Sequence, residues 1–349
     1  MVVSGWRINI KDMIIFKSII SVIVLILLVT SCVKKESGSV RTFSKKEFSS
    51  TIRKNVNDSI VVKRVFNIVG WKVLPHSIAL FSVDDQDNDV LYEYSDTTSE
   101  LIQSGINIGN GPDEYVSFNS GETNISNNVL SYDIMRRVLY TYDLTSVPFK
   151  VNAEFELPVD EDGLTNPYTF ITQVDNDTFL MKLDSPSKSA WHFVDLKDKK
   201  ILWEYENPIR DKEYSYTPFD LIQSVYDSKL FVAYKYIDLI EIYNITKDGI
   251  SLIKSYGDTQ DQSKIEDYNK LEYKYLSVAY DGDDFYCLKS TDGSETGNII
   301  ETYNIKNDTP VNMYVLDKDI YSISFDIEKH RLIGYSQDQD VTVFYIWNM

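Results

Sequence analysis

An all-β chain closed into a six-bladed β-propeller is the fold class this sequence predicts, on three observations. Beyond residue 58, short runs of Val, Ile, Tyr and Phe are broken by Asp, Asn and Gly, and no 3.6-residue apolar period persists. A polar turn leading into a strand recurs six times, its first apolar residue falling at Ile78, Val129, Phe179, Leu230, Phe285 and Leu332, with spacings of 47 to 55 residues. A second recurrence keeps step with the first, at Leu91–Tyr94, Leu139–Leu144, Trp191–Leu196, Ile240–Ile245, Ile300–Ile305 and Phe344–Met349.

Each repeat of about fifty residues has room for four strands of five to six residues with their turns, which is one propeller blade. The sixth copy stops at Met349, one strand short, while Ser59–Ile68 is a strand with no earlier repeat to join. Pairing that N-terminal strand as the outermost strand of the last blade closes the ring and leaves few open strand edges. Only 14 glycines serve so many hairpins. Asp and Asn, which tolerate the left-handed region and bond their own backbone, are expected to take the turn positions instead.

Ahead of this body, residues 1–31 read as a signal peptide: Lys17 precedes the apolar run Ile19–Val29, and the small residues Thr30 and Ser31 follow. That run would rise only about 16 Å as a helix, short of the roughly 30 Å hydrocarbon core. Val29-Thr30-Ser31-Cys32 resembles a bacterial lipobox. The resemblance implies diacylglycerol on the Cys32 thiol and cleavage that leaves Cys32 as the first residue. Residues 32–57 are then the lipidated cysteine and a flexible tether, with seven bases against two acids. The propeller, residues 58–349, holds 25 bases and 50 acids, a net charge of −25. A field of that sign repels phosphate backbones, so no nucleic-acid partner is expected.

Familiar chemistry is missing from the motifs. Two cysteines are too few for a disulfide scaffold, and Cys287 lies in the apolar run Phe285–Leu288, where a buried thiol is expected. There is no Gly-x-Ser-x-Gly elbow, no phosphate-binding loop and no dinucleotide fingerprint, so neither a catalytic residue nor a cofactor is assigned. His76, His192 and His330 sit in different repeats without ligand spacing. The acidic stretches Asp84–Asp89 and Asp281–Asp284 lack the glycine and the twelfth-position glutamate of a calcium loop and read as hairpins, so no metal is expected.

The lipobox, the six-unit array and the heptad Gly109-Asn110-Gly111-Pro112-Asp113-Glu114-Tyr115 together resemble the TolB-like six-bladed β-propeller lipoproteins of Bacteroidota. What this resemblance implies is a cell-envelope lipoprotein, with no catalytic residue carried over. In such a ring the loops between blades gather on one face, where the central channel opens. The heptad falls in the first of these loops, and Asn166-Pro167-Tyr168 and Tyr214–Asp220 fall in later ones. The candidate ligand-binding residues are therefore Asp113, Glu114, Tyr115, Tyr168, Tyr216, Phe219 and Asp220, with Pro112 stiffening the path that presents the first three. The expected function is binding of a protein, peptide or glycan by a lipoprotein held on a membrane, the outer in preference to the inner. The alternative, resting on fold analogy, is a metal-dependent hydrolase or lactonase-like enzyme with carboxylates at the channel.

Overall fold

The computed structural model describes residues 43–63, 65, 67–83, 89–111, 114–123, 125, 127–158, 168–184, 189–206, 221–257, 271–338 and 341–349, and these hold strands and turns but no helix. Three short strands come first: β1 (Phe43–Ser44), β2 (Ser50–Lys54) and β3 (Asp58–Lys63). Antiparallel arrays follow in chain order. The first is β4 (Ile68–Val73), β5 (Ser77–Ser82), β6 (Asp89–Ser95) and β7 (Leu101–Asn107). The second is β8 (Asn119–Thr123), β9 (Asn128–Asp133), β10 (Val138–Asp143) and β11 (Lys150–Glu156). The third is β12 (Tyr168–Gln173), β13 (Thr178–Asp184), β14 (Ser189–Asp195) and β15 (Lys200–Glu206). The fourth is β16 (Leu221–Tyr226), β17 (Lys229–Tyr234), β18 (Leu239–Thr246) and β19 (Gly249–Gly257). The fifth is β20 (Tyr275–Tyr280), β21 (Asp284–Ser290), β22 (Gly297–Asn304) and β23 (Thr309–Ile320). The last has three strands of its own, β24 (Ser322–Asp326), β25 (Arg331–Asp338) and β26 (Val341–Asn348).

Both sequence recurrences map onto this pattern. The turn-and-strand motif is the second strand of every array, and its companion is the third. Turn residues do what the glycine shortage requires: Asn127, Asp227, Asp308 and His330 have φ of 60°, 46°, 55° and 50°. Asp227 and Ser228 are left-handed in succession, which suits the tight hairpin joining β16 to β17.

The architecture is an all-β propeller. Four arrays stand as separate blades, whereas the second and third share one curled eight-stranded sheet. Here the structure differs from the six separate blades that the repeats predict. The first strands of the two arrays, β8 and β12, pair in parallel through Glu122↔Thr172 and Thr123↔Gln173. Gly121 permits the approach, since a Cβ there would lie 2.8 Å from the Ile171 carbonyl oxygen and 2.6 Å from a Leu130 methyl.

The N-terminal segment binds three successive blades. β3 pairs antiparallel with β26 from Asp58↔Ile346 to Lys63↔Val341, supplying the fourth strand of the last blade. Ahead of it, β2 adds in parallel to the outer edge of β23, and β1 adds in parallel to β19. The tether expected over residues 32–57 is therefore corrected from Phe43 onward: those residues are edge strands, because the outer strands β19 and β23 offer unpaired backbone groups that they satisfy. Lys46, between β1 and β2, is not a solvated tether charge. Its side chain is 11% exposed, its ammonium donates to Asp238 and the Tyr275 hydroxyl, and Glu301 lies 3.6 Å away. Residues 33–42 lie outside the described residues.

Apolar seams join each array to the next. Phe81 and Leu91 meet Val129 and Tyr142; Leu130 and Tyr132 meet Phe179 and Met181; Trp191 and Phe193 meet Val232 and Tyr243. Further round, Phe231 and Ile242 meet Phe285 and Tyr303, Tyr286 and Leu288 meet Phe325 and Trp347, and Phe344 and Ile346 meet Ile60, Val62, Ile78 and Leu80. Each fully buried side chain of this size contributes about 1.5–3 kcal/mol. The last seam is reinforced by charge. Arg331 bonds Asp326 at 2.6 Å and Asp96 at 3.0 Å, and Lys329 also donates to Asp96, tying the last blade to the first.

Candidate functional site

The described residues of the heptad between β7 and β8, 109–111, 114 and 115, form a closed structural turn. The Gly109 amide donates to the Tyr115 carbonyl at 2.9 Å, and the Tyr115 amide to the Asn107 carbonyl at 2.8 Å. Glu114 folds back under the two glycines, its Oε2 accepting from the Gly111 amide at 2.6 Å. A Cβ on Gly109 would lie 2.0 Å from that oxygen, so the glycines make room for the carboxylate. Arg136 clamps the turn by donating to the Gly111 carbonyl at 2.5 Å.

Tyr115 and Tyr168, expected to face a ligand, are 3% exposed. The Tyr115 hydroxyl bonds Ser131 and, at 2.7 Å, Tyr142. The Tyr168 hydroxyl bonds His192 Nδ1 at 2.8 Å. Tyr275 repeats the arrangement, plugging the start of β20 with its hydroxyl 3.0 Å from Glu301. These tyrosines lock the start of a first strand to the third strand of the same array, so Glu114, Tyr115 and Tyr168 are corrected from ligand-facing to structural. Asp113, Tyr216, Phe219 and Asp220 lie outside the described residues, as do Cys32 and the stretch 84–88. Asp281 spends its carboxylate on the amides of Asp283 and Asp284 at 2.8 and 2.7 Å and on the Tyr286 hydroxyl, as a hairpin residue would. Cys287 is buried, and burial raises its thiol pKa. Among the described residues, no three His, Cys, Asp or Glu side chains gather closely enough to hold a metal ion.

What the fold does bring together is the inner strands. Residues of β4, β8, β12, β16, β20 and β24 line a cavity of about 700 Å³ at the centre of the ring. Its wall is built of hydroxyls and apolar groups, including Ser120, Ser224, Ser277, Trp71 and Phe170. Two ionisable groups stand out on it. Lys72 donates to the carbonyls of Thr123, Ile125 and Asn128 at 3.1, 2.6 and 2.8 Å, so it crosslinks the first two arrays. Burial lowers its pKa to about 7, yet three acceptors around one ammonium favour the charged form.

Glu122 is the other. It lies one residue before the end of β8, half-buried against the cavity, and its carboxylate has no hydrogen bond or ion pair with any described residue. Burial pushes its carboxyl up to about 8. Tyr280, on β20, lines the same cavity and feels this carboxyl. Nothing in the sequence marks Glu122, because an acid in a short strand reads as solvent-facing. Its pH signature has a definite sign. The ordinary glutamate pKa is about 4.3, so between roughly pH 4 and 8 the folded chain keeps a proton that the unfolded chain has released. Stability should therefore fall across that window. Glu122→Gln should gain stability relative to the parent as pH rises from 5 to 9, measured by urea unfolding, and parallel profiles would contradict this account.

No protein-family model matches the chain, and no curated protein matches it. Solved structures do. A Bacteroides fragilis NCTC 9343 protein named as exported shares 12% identity over 85% of this chain and 98% of that one, with a TM-score of 0.54. A member of the DUF4221 family from Bacteroides vulgatus ATCC 8482 shares 10% over 84% and 96%, with a TM-score of 0.55. U3-55K shares 7% over 84% and 99%, with a TM-score of 0.52. At these identities the likeness is one of fold, a β-propeller.

Proposed function

We propose that this chain is a lipid-anchored cell-envelope protein of the TolB-like kind, a six-bladed propeller that binds a protein, peptide or glycan partner through its central cavity and the face where the loops between blades gather. The observation that carries the reading is the cavity: a recess of about 700 Å³, ringed by first strands and walled by hydroxyls, apolar side chains and one unengaged carboxyl, is the shape of a binding site. Six blades are supported by counting apolar seams rather than hydrogen-bonded sheets. A seam separates the second array from the third just as it separates the others, and the parallel pairing of β8 with β12 spans only two residue pairs. Envelope location draws support from the lipobox and from the exported Bacteroides protein of the same fold.

Two measurements test this. Cys32→Ala should move the protein from the membrane to the soluble fraction of its own cells, and unchanged membrane association would refute the anchor. The exposed cavity-lining residues Thr169 and Ile327 can each be changed to Trp to obstruct the recess. Either change should remove whatever co-purifies with the parent protein while leaving the melting transition in place. A complement of bound material unaltered by both would refute binding through the cavity.

A further inference from the structure

From the cavity and the unengaged Glu122 within it, we infer that the central recess is a site for a protonated primary amine, carried by a small molecule or by a lysine side chain of a partner. This rests on the cavity being the binding site and names the chemistry it selects.

Four features of the recess point to an amine. Glu122 presents a half-buried carboxyl on the cavity wall with no hydrogen-bond or ion-pair partner among the described residues, so it is open to a cationic ligand. The lysine on the neighbouring inner strand, Lys72, cannot supply the charge, because its ammonium is already held by three backbone carbonyls. Two aromatic side chains of the kind that attract cations, Tyr280 and Trp71, line the same recess. The propeller's net charge of −25 raises the local concentration of cations at either opening.

The remaining charged groups on the wall do not answer to a carboxylate ligand. Asp326 is paired with Arg331. Lys182 donates to Ser189 at 2.5 Å. Lys235 lies on the turn after β17, and Glu328 on the turn after β24. An ammonium is preferred to a metal ion because one carboxylate and scattered hydroxyls are too few hard ligands for calcium.

Ionising Glu122 to meet the amine releases the proton it holds when the recess is empty. Burial raises this carboxyl, so its charged fraction grows between pH 7 and pH 9 and affinity should rise with it. An alkylamine stays largely protonated throughout, its pKa being about 10.4.

The probes are 1,5-diaminopentane and a short acetylated, amidated peptide with one central lysine, titrated calorimetrically into the full folded domain at pH 7 and pH 9. The expected result is binding of at least one probe, tighter at the higher pH, with proton release at pH 7, and weakened at least tenfold in Glu122→Gln. Binding of the diamine identifies a free amine as sufficient; binding of the peptide alone identifies a partner's lysine. Failure of both probes, or equal affinity of parent and Glu122→Gln, overturns the inference. The cavity reading is judged separately. If Thr169→Trp and Ile327→Trp abolish co-purification while Glu122→Gln does not, the cavity binds something other than an amine; if none of the three has an effect, the cavity reading falls as well. A cooperative melting transition in the near-isosteric Glu122→Gln, no lower than that of the parent, guards against a folding artefact.

Discussion

A chain that begins at residue 64 should show no cooperative unfolding transition, whereas one that begins at Phe43 should melt as the longer protein does. The difference is β3. Without it β26 loses its outer partner along the whole Asp58–Lys63 ladder, and the seam between the last blade and the first loses Ile60 and Val62, which are 2% and 0% exposed. The Thr342 hydroxyl also loses its bond to the Val65 carbonyl when the chain before it is free. Two buried aliphatic side chains at about 1.5–3 kcal/mol each, with the opening of a ring interface, approach the whole stability of a typical domain, about 5–15 kcal/mol. A chain beginning at Asp58 should fall between the two, since it keeps the closing strand and lacks β1 and β2. Calorimetry on the three chains decides it, and a native-like transition in the shortest would contradict closure by β3.

Lys46→Ala should be the most damaging single substitution in the segment ahead of β3. The ammonium sits between Asp238 and Glu301, whose side chains are 36% and 4% exposed, and Lys289 alone would remain to balance them at 3.3 and 3.1 Å. Removing one partner from a buried charge cluster costs about 3–5 kcal/mol; the remaining lysine and the partial exposure of Asp238 reduce the expectation to about 2–3 kcal/mol. The pH dependence follows from Asp238. Burial would raise its pKa, but the charges of Lys46 and Lys289 outweigh that and hold it below the usual carboxylate range. Its contribution is complete above the unfolded value near pH 4 and is lost as the pH falls further. The gap between parent and Lys46→Ala in urea unfolding should therefore be full at pH 7 and shrink at pH 3. An equal gap at both would show that the lysine acts through packing of its stem rather than its charge.

The candidate residues show where sequence reading works and where it stops. The heptad was legible as a turn between blades, since Gly and Pro restrict the backbone locally. Whether Glu114 and Tyr115 point out of that turn or into it was not, because the answer depends on Ser131, Tyr142 and Arg136, far along the chain. Basic residues near the start of the body suggested a solvated tether for the same reason: a lysine whose partners are remote in the chain looks free, and Lys46 finds its partners some 190 and 250 residues away. Glu122 was invisible because the cavity it lines exists only once six first strands have been gathered around an axis.

By itself the sequence determined the strand-and-turn alternation, the repeat, the Asp and Asn turns, and the strand that pairs with the C-terminal one, since each follows from local backbone preference or from a periodicity that side-chain burial imposes. Only the tertiary structure decided which edges the segment Phe43–Lys54 covers, that β8 and β12 meet across Gly121, and which carboxyl is left facing the recess. Those outcomes depend on distances between residues remote in the chain, and no local preference encodes them.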